Sequence, residues 1–139
     1  MNHANRYFAS ESNKRSVPTR QNLCGRPLVN AHEQGRFTAF VAPITPVNVF
    51  YIVRKSKGTE IARQAVTTII GRFHICPLDH AVLESAGLLP LVDFEDAVQL
   101  AAAIASELDA IVTRNISDYA GAAIPVYTPT QFLQQLHTP

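Results

Sequence analysis

The sequence predicts a three-layer α/β/α sandwich built on a parallel sheet, and three observations carry that prediction. Short apolar runs such as FTAFVA at 37–42 and AIVT at 110–113 read as buried strands. Between them lie longer segments with apolar residues at helical spacing. Strands that alternate with helices in this way imply a sheet covered on both faces.

Each element has a local reason. Residues 1–26 are polar, rich in Asn, Ser and Arg, and follow neither a strand nor a helix period. They are expected to form an irregular or disordered arm ahead of one domain at 27–139. Residues 27–34 are a short helix candidate, with Pro27 in the first turn and Gly35 as the stop. The aromatic and β-branched run at 37–42 suits a strand. Thr45 and Pro46 offer an N-cap and a first-turn proline for a helix reaching Lys55. Its basic end, Arg54, Lys55 and Lys57, suits the negative pole of the helix dipole.

Gly58 separates this helix from another at 59–70, and a strand at 74–78 follows. Asp79 caps a short helix that Gly87 ends. Asp93 opens an alanine-rich helix at 94–108, with Ala97, Leu100, Ala101, Ile104 and Leu108 as its apolar stripe. Then come a strand at 110–113, a loop at 115–123 and a strand at 124–127. Thr128-Pro129-Thr130-Gln131 is a capping box for the last helix.

The 139 residues suit one domain, and 47% hydrophobic with 17% charged content is that of an ordinary globular protein. Cys24 and Cys76 form no CxxC pair, and the five histidines show no HExxH spacing. Zinc and a disulfide framework are therefore not indicated, and a reducing cytoplasm is the expected compartment. No apolar run is long enough to span a membrane. The net charge of +1 conceals an asymmetry: residues 1–78 carry eleven bases and three acids, and 79–139 carry one base and eight acids. A basic half can neutralise phosphates and an acidic half can attract divalent cations. The two halves can equally well attract each other.

In open α/β sheets ligands gather beyond the carboxyl ends of the strands. That rule selects residues 43–48, residues 113–118 and the helix start at Asp93. Asp93, Glu95 and Asp96 place three carboxylates within four residues, with Asp93 and Asp96 on one helix face. Mg²⁺ and Mn²⁺ take oxygen ligands of this kind, and such an ion can polarise a phosphate and activate water. Taken singly, the same residues have plainer uses. Acids suit a helix's first turn, Asp93 is an ordinary N-cap, and Asn115 and Asp118 suit turns. Arg114 can meet a phosphate or pair with Asp118, and Asn48 can serve a local hydrogen bond.

The order of these motifs is more specific than any one of them. DFEDAVQLAAAIASELDAIVTRNISDYAGAAIPVYTPTQFL, from Asp93 to Leu133, resembles the C-terminal half of PIN domains in their VapC-like toxin-ribonuclease branch. EQGRFTAFVAPITPVNVFYIVRK, from Glu33 to Lys55, is similar to the same branch, so the resemblance covers about 28–136. It implies a metal-dependent endoribonuclease of a toxin–antitoxin system, using Mg²⁺ or Mn²⁺ on RNA. Asp96, Asn115 and Asp118 would be catalytic, and Asp96, Asp118 and Asp93 would face the metal. Thr45, Asn48, Thr113 and Arg114 would face the substrate. An antitoxin protein and a second copy of the chain are the implied partners.

The sequence departs from the family at its beginning. PIN domains open with an apolar strand that ends in a metal-binding Asp, yet no aspartate precedes Asp79 and no apolar strand is evident before 37. The first strand is accordingly expected to be missing or replaced. Two functions follow. One is a ribonuclease whose missing carboxylate comes from Glu11, Glu33 or a partner chain. The other is an inactive remnant that binds RNA or an antitoxin. A small response-regulator-like or ligand-binding α/β domain is disfavoured, because that class also wants an acidic residue at the end of its first strand and no phosphate-binding glycine loop is present.

Overall fold

The computed structural model describes residues 6–9 and 34–137. Its sheet has five strands in the order β3-β2-β1-β4-β5. They are β1 (Arg6–Ala9), β2 (Thr38–Val41), β3 (His74–Ile75), β4 (Ala110–Val112) and β5 (Val126–Tyr127). Every pairing is parallel. The helices are α1 (Ile44–Lys57), α2 (Thr59–Arg72), α3 (His80–Gly87), α4 (Phe94–Ala105) and α5 (Pro129–His137), with a 3-10 turn at Ile116–Tyr119.

The main correction concerns β1. The first strand is present, and it occupies the middle of the sheet. Tyr7 and Phe8 align with Ala39 and Phe40 of β2 on one side and with Ala110 and Ile111 of β4 on the other. A four-residue strand, RYFA, is too short to show a period, and its place is fixed by partners far along the chain. Phe8 is fully buried, as a central strand requires. The segment read as an arm therefore contributes residues 6–9 to the sheet. The rest of 1–26, and all of the helix read at 27–34 except Gln34, which lies in a turn, fall outside the described residues.

Alternation along the strands sorts the core into two faces. Phe8 and Ile111 point to one face, where α3 and α4 cover them with Val82, Ala86, Ala97, Leu100 and Ala101. Ala9 and Val41 point to the other, beneath Val49 and Val53 of α1 and Ala62 and Ile69 of α2. Phe37, Ala39, Val112 and Phe132 of α5 complete that second face. Tyr7, Phe37 and Phe132 meet there edge to face. Three layers result, as the sequence predicts.

Element ends follow local chemistry. Asp79 accepts from the Val82 N–H at 3.0 Å and caps α3. Thr128 accepts from the Gln131 N–H at 3.1 Å while Gln131 returns a bond to the Thr128 N–H at 3.0 Å, so the capping box forms as read. Gly58, at φ +90°, turns the chain between α1 and α2. Thr45 is not the cap of α1; the cap is Pro43, and Thr45 lies buried inside the first turn. α4 stops at Ala105 rather than 108. There Glu107 takes a left-handed φ of 55°, its N–H bonds Ile104 O, and the Leu108 N–H reaches back to Ala103 O. That is the Schellman closure, with Leu108 buried beside it.

Candidate active site

All five strands run in parallel, so their carboxyl ends share one edge. The chain leaves β1 for β2 on one side and returns to β4 on the other, which makes the β1–β4 boundary the switch point where such sheets hold ligands. α4 runs back against the strand direction before β4, so it begins at this same edge. α1 starts there too, three residues after β2 ends.

The acidic start of α4 therefore faces the right place. Asp93 Oδ1 accepts from the Asp96 N–H at 3.1 Å, which makes Asp93 the N-cap of α4. Asp96 is buried, with 6% exposure. A carboxylate is seldom so enclosed unless it has partners. One partner is the phenol of Tyr119, whose Oη lies 3.5 Å from Asp96 Oδ1 and 3.2 Å from Gln99 Oε1. Tyr119 and Gln99 are themselves 2% and 1% exposed. Glu95, half-buried, accepts from Asn48 Nδ2 at 3.0 Å, and this bond ties α1 to α4 across the edge.

β4 delivers the remaining candidates. Thr113 is buried just past the strand, where its N–H bonds Tyr127 O at 2.9 Å. Its hydroxyl accepts from the Asn115 N–H at 3.2 Å, and Asn115 O accepts from the Asp118 N–H at 3.1 Å. These bonds shape the turn that delivers Tyr119 to Asp96. Arg114, Asn115 and Asp118 are exposed.

The structure thus joins Asp96 to the turn of Asn115 and Asp118 through Tyr119, and it joins Asn48 to Glu95. Among the described residues, no group of three His, Cys, Asp or Glu side chains is placed to hold a metal ion. Asp93, Asp96 and Asp118 do not by themselves make such a group. β1 brings Arg6, Tyr7, Phe8 and Ala9 to the sheet and no carboxylate. Glu11 and Glu33 lie outside the described residues. Sequence reasoning counted Glu95 among the three carboxylates of DFED without assigning it a site role, and it gave Gln99 none. Glu95 was visible within DFED, whereas Gln99 carries no signal beyond being a polar residue on an otherwise apolar stripe.

An open groove of about 660 Å³ lies between α1 and α2, lined by Val47, Phe50, Tyr51, Val66 and Ile70 with Arg63 beside them. Val47, Tyr51 and Ile70 are well exposed. No helix among the described residues is long and apolar enough to cross a membrane.

Comparison with solved structures finds the same fold. The chain superposes on a toxin–antitoxin complex from Klebsiella pneumoniae with 27% identity and a TM-score of 0.53, over 66% of this chain and 74% of that one. VapBC2 from Rickettsia felis, bound to a DNA fragment from its promoter, gives a TM-score of 0.62 at 17% identity, over 88% and 96% of the two chains. FitAB bound to the IR36 DNA fragment gives 0.57 at 17% identity, over 96% and 97%. A search of curated proteins returns no significant match. The family model for the PIN domain matches residues 21–117. That match spans well over half the sequence and joins α1, α4 and β4 in one frame; the chain belongs to the PIN-domain family.

Proposed function

We propose that this PIN domain is the toxin of a toxin–antitoxin pair and that its β1–β4 edge hydrolyses phosphodiester bonds of RNA with the help of Mg²⁺ or Mn²⁺. The observation that carries this reading is the buried carboxylate of Asp96 at the switch point of the sheet. Burying an acid there is costly, and folding alone gives no reason to do it.

The donors at this edge fit such an ion in kind. They are carboxylates and other oxygens, and Mg²⁺ is commonly held by one or two carboxylates completed by water and substrate phosphate. They make no protein-only cage, since no three-donor group forms among the described residues. Asp96 is the proposed primary ligand, with Asp118 and Asp93 contributing through water. A bound ion would polarise the scissile phosphate and lower the pKa of a bound water. The chain's own residues do the rest. Thr113 fixes the turn that presents Asn115 and Asp118, Arg114 offers its guanidinium to a phosphate, and Asn48 with Thr45 shapes the opposite wall.

The carboxylate that β1 does not supply has sequence candidates in Glu11, two positions after Ala9, in Glu33, or in a partner chain. The proposed antitoxin contact is the apolar α1–α2 groove, whose exposed Tyr51 and Val47 suit an apolar peptide face. A homodimer, as the family resemblance implies, belongs to the same proposal. The second reading, an inactive remnant that binds RNA or an antitoxin, draws support from the same missing carboxylate.

Incubating the purified protein with RNA and Mn²⁺ beside Asp96→Asn tests the choice. Cleavage by the parent that falls about a hundredfold or more in the variant supports the nuclease, since a lost metal contact removes several kcal/mol of transition-state stabilisation. Equal silence from both, with RNA still retained, supports the remnant.

A further inference from the structure

We infer that a row of side chains along α1, from Asn48 through Tyr51 to Lys55, holds an unpaired stretch of RNA beside the β1–β4 edge, with one base stacked on Tyr51 and phosphates met by Lys55, Arg54 and Arg63. This rests on the reading that the edge acts on RNA. It adds a single-stranded substrate and the path that the strand takes.

The row follows from helix geometry. Residues three, four and seven apart share a helix side, so Asn48, Tyr51 and Lys55 stand in line on α1. The line spans about 10 Å at the helical rise. Its first member is already fixed at the site, because Asn48 donates to Glu95 at 3.0 Å on the wall of the carboxyl edge. A strand that leaves the edge along this wall meets Tyr51 next.

Tyr51 has the features of a stacking platform. It is 60% exposed, and Phe50 stands against it at 5.2 Å and 89°, which braces the ring without covering it. Arg54 follows it by three positions, and Arg63 faces it across the α1–α2 groove. Arg54, Lys55 and Arg63 are exposed, and no acid among the described residues pairs with them. Cations around an open ring suit a single strand, whose bases stack on the ring while its phosphates meet the charges. A duplex has its bases already stacked and offers the ring nothing. An acidic peptide would satisfy the cations, but gives no reason for the row to begin at the edge. Tyr51 forms the rim between this row and the groove proposed above for an antitoxin, whose floor includes Phe50, Val66 and Ile70.

Fluorescence anisotropy with a labelled single-stranded RNA tests the path on the full chain. EDTA removes metal, so the probe stays intact, and at physiological ionic strength exposed charges act over only about 8 Å. Tyr51→Ala should weaken binding about tenfold, as the loss of one stacked base does, and Tyr51→Phe should restore most of it. Lys55→Gln and Arg63→Gln should each weaken binding and lower its salt dependence by about one counterion. Lys57→Gln removes the same charge from the opposite side of α1 and should change affinity by less than about twofold. All these positions are exposed, so melting temperatures should stay near that of the parent.

Parent-like affinity in Tyr51→Ala and Lys55→Gln, beside a parent that binds RNA and cleaves it with Mn²⁺, overturns the path and leaves the nuclease reading standing. An equal loss from Lys57→Gln also overturns it, since the attraction is then one of net charge. Binding of poly-glutamate that falls in the charge variants, while RNA binding does not, assigns the row to an acidic protein and overturns it too. A parent that neither binds nor cleaves RNA removes the nuclease reading and the path together.

Discussion

Asn48 donates from its side-chain amide to Glu95 Oε1 at 3.0 Å, which pins the start of α1 to the start of α4 across the carboxyl edge of the sheet. The two residues are 47 positions apart, and both are half-buried. The bond gives Glu95 a donor in a place that solvent only partly reaches, and it fixes the spacing between two walls of the candidate site.

Asn48→Ala should therefore lower stability by about 1–2 kcal/mol, since a partly buried carboxylate loses its donor. Glu95→Ala should cost less, because a neutral amide is cheaper to leave unpaired. Urea unfolding of both single variants and the double variant should give a coupling of about 1 kcal/mol. Additive effects would mean that the bond contributes nothing in solution.

Phe8 is the most exacting test of the first strand. It is fully buried and flanked by Phe40 and Ile111 on the neighbouring strands. Phe8→Ala should cost about 3–5 kcal/mol, the usual range for a buried aromatic truncated to alanine. A denaturation midpoint indistinguishable from the parent would remove β1 from the centre of the sheet.

Glu107 holds a left-handed backbone at φ 55° in the closure of α4, a position where glycine has no Cβ penalty. Glu107→Gly should raise stability by roughly 0.5–1 kcal/mol, less the small gain in unfolded-chain entropy. Glu107→Val, which resists this conformation, should lower it. Thermal melts of the three proteins check the order.

Stability should fall on the alkaline side. Burial pushes the Cys76 thiol above its ordinary 9.0, against smaller opposing effects of a Ser106 hydrogen bond and the Arg6 charge. Burial and the nearby Asp109 charge likewise push the Tyr7 phenol above 10.0. A raised folded pKa means that the native chain keeps a proton the unfolded chain releases. The contribution is thus complete below about pH 9 and is lost as pH climbs above it. Cys76→Ala should show a shallower decline above pH 9 in urea midpoints, and an unchanged slope would assign the decline to other groups.

Legibility in the sequence followed the range of the interactions. The Asp79 cap, the Thr128–Gln131 box and the Gly58 break were all readable, because the bonds that make them span three or four residues. The Thr45 cap was misplaced by two positions, since Pro43 turns the chain into α1 earlier than the Thr-Pro pair suggests. Within the site, Asp96 and Asp118 were marked by their motif, and Asp93 was rightly seen as a possible cap. The Asn48–Glu95 and Tyr119–Gln99 contacts were not legible, because each joins side chains 20 or more residues apart whose types are common in ordinary helices.

By itself, the sequence determined the layered architecture, the caps at Asp79, Asp93 and Thr128 and the acidic start of α4, since periodicity and capping are written in neighbouring residues. Only the tertiary structure decided that RYFA is the central strand. Four residues carry too little pattern to declare themselves, and β2 and β4, which pair with them, arrive about thirty and about a hundred positions later. The same distance hid the bonds around Asp96, Tyr119 and Glu95. Where a side chain's partner is remote in sequence, the fold must form before the contact exists to be read.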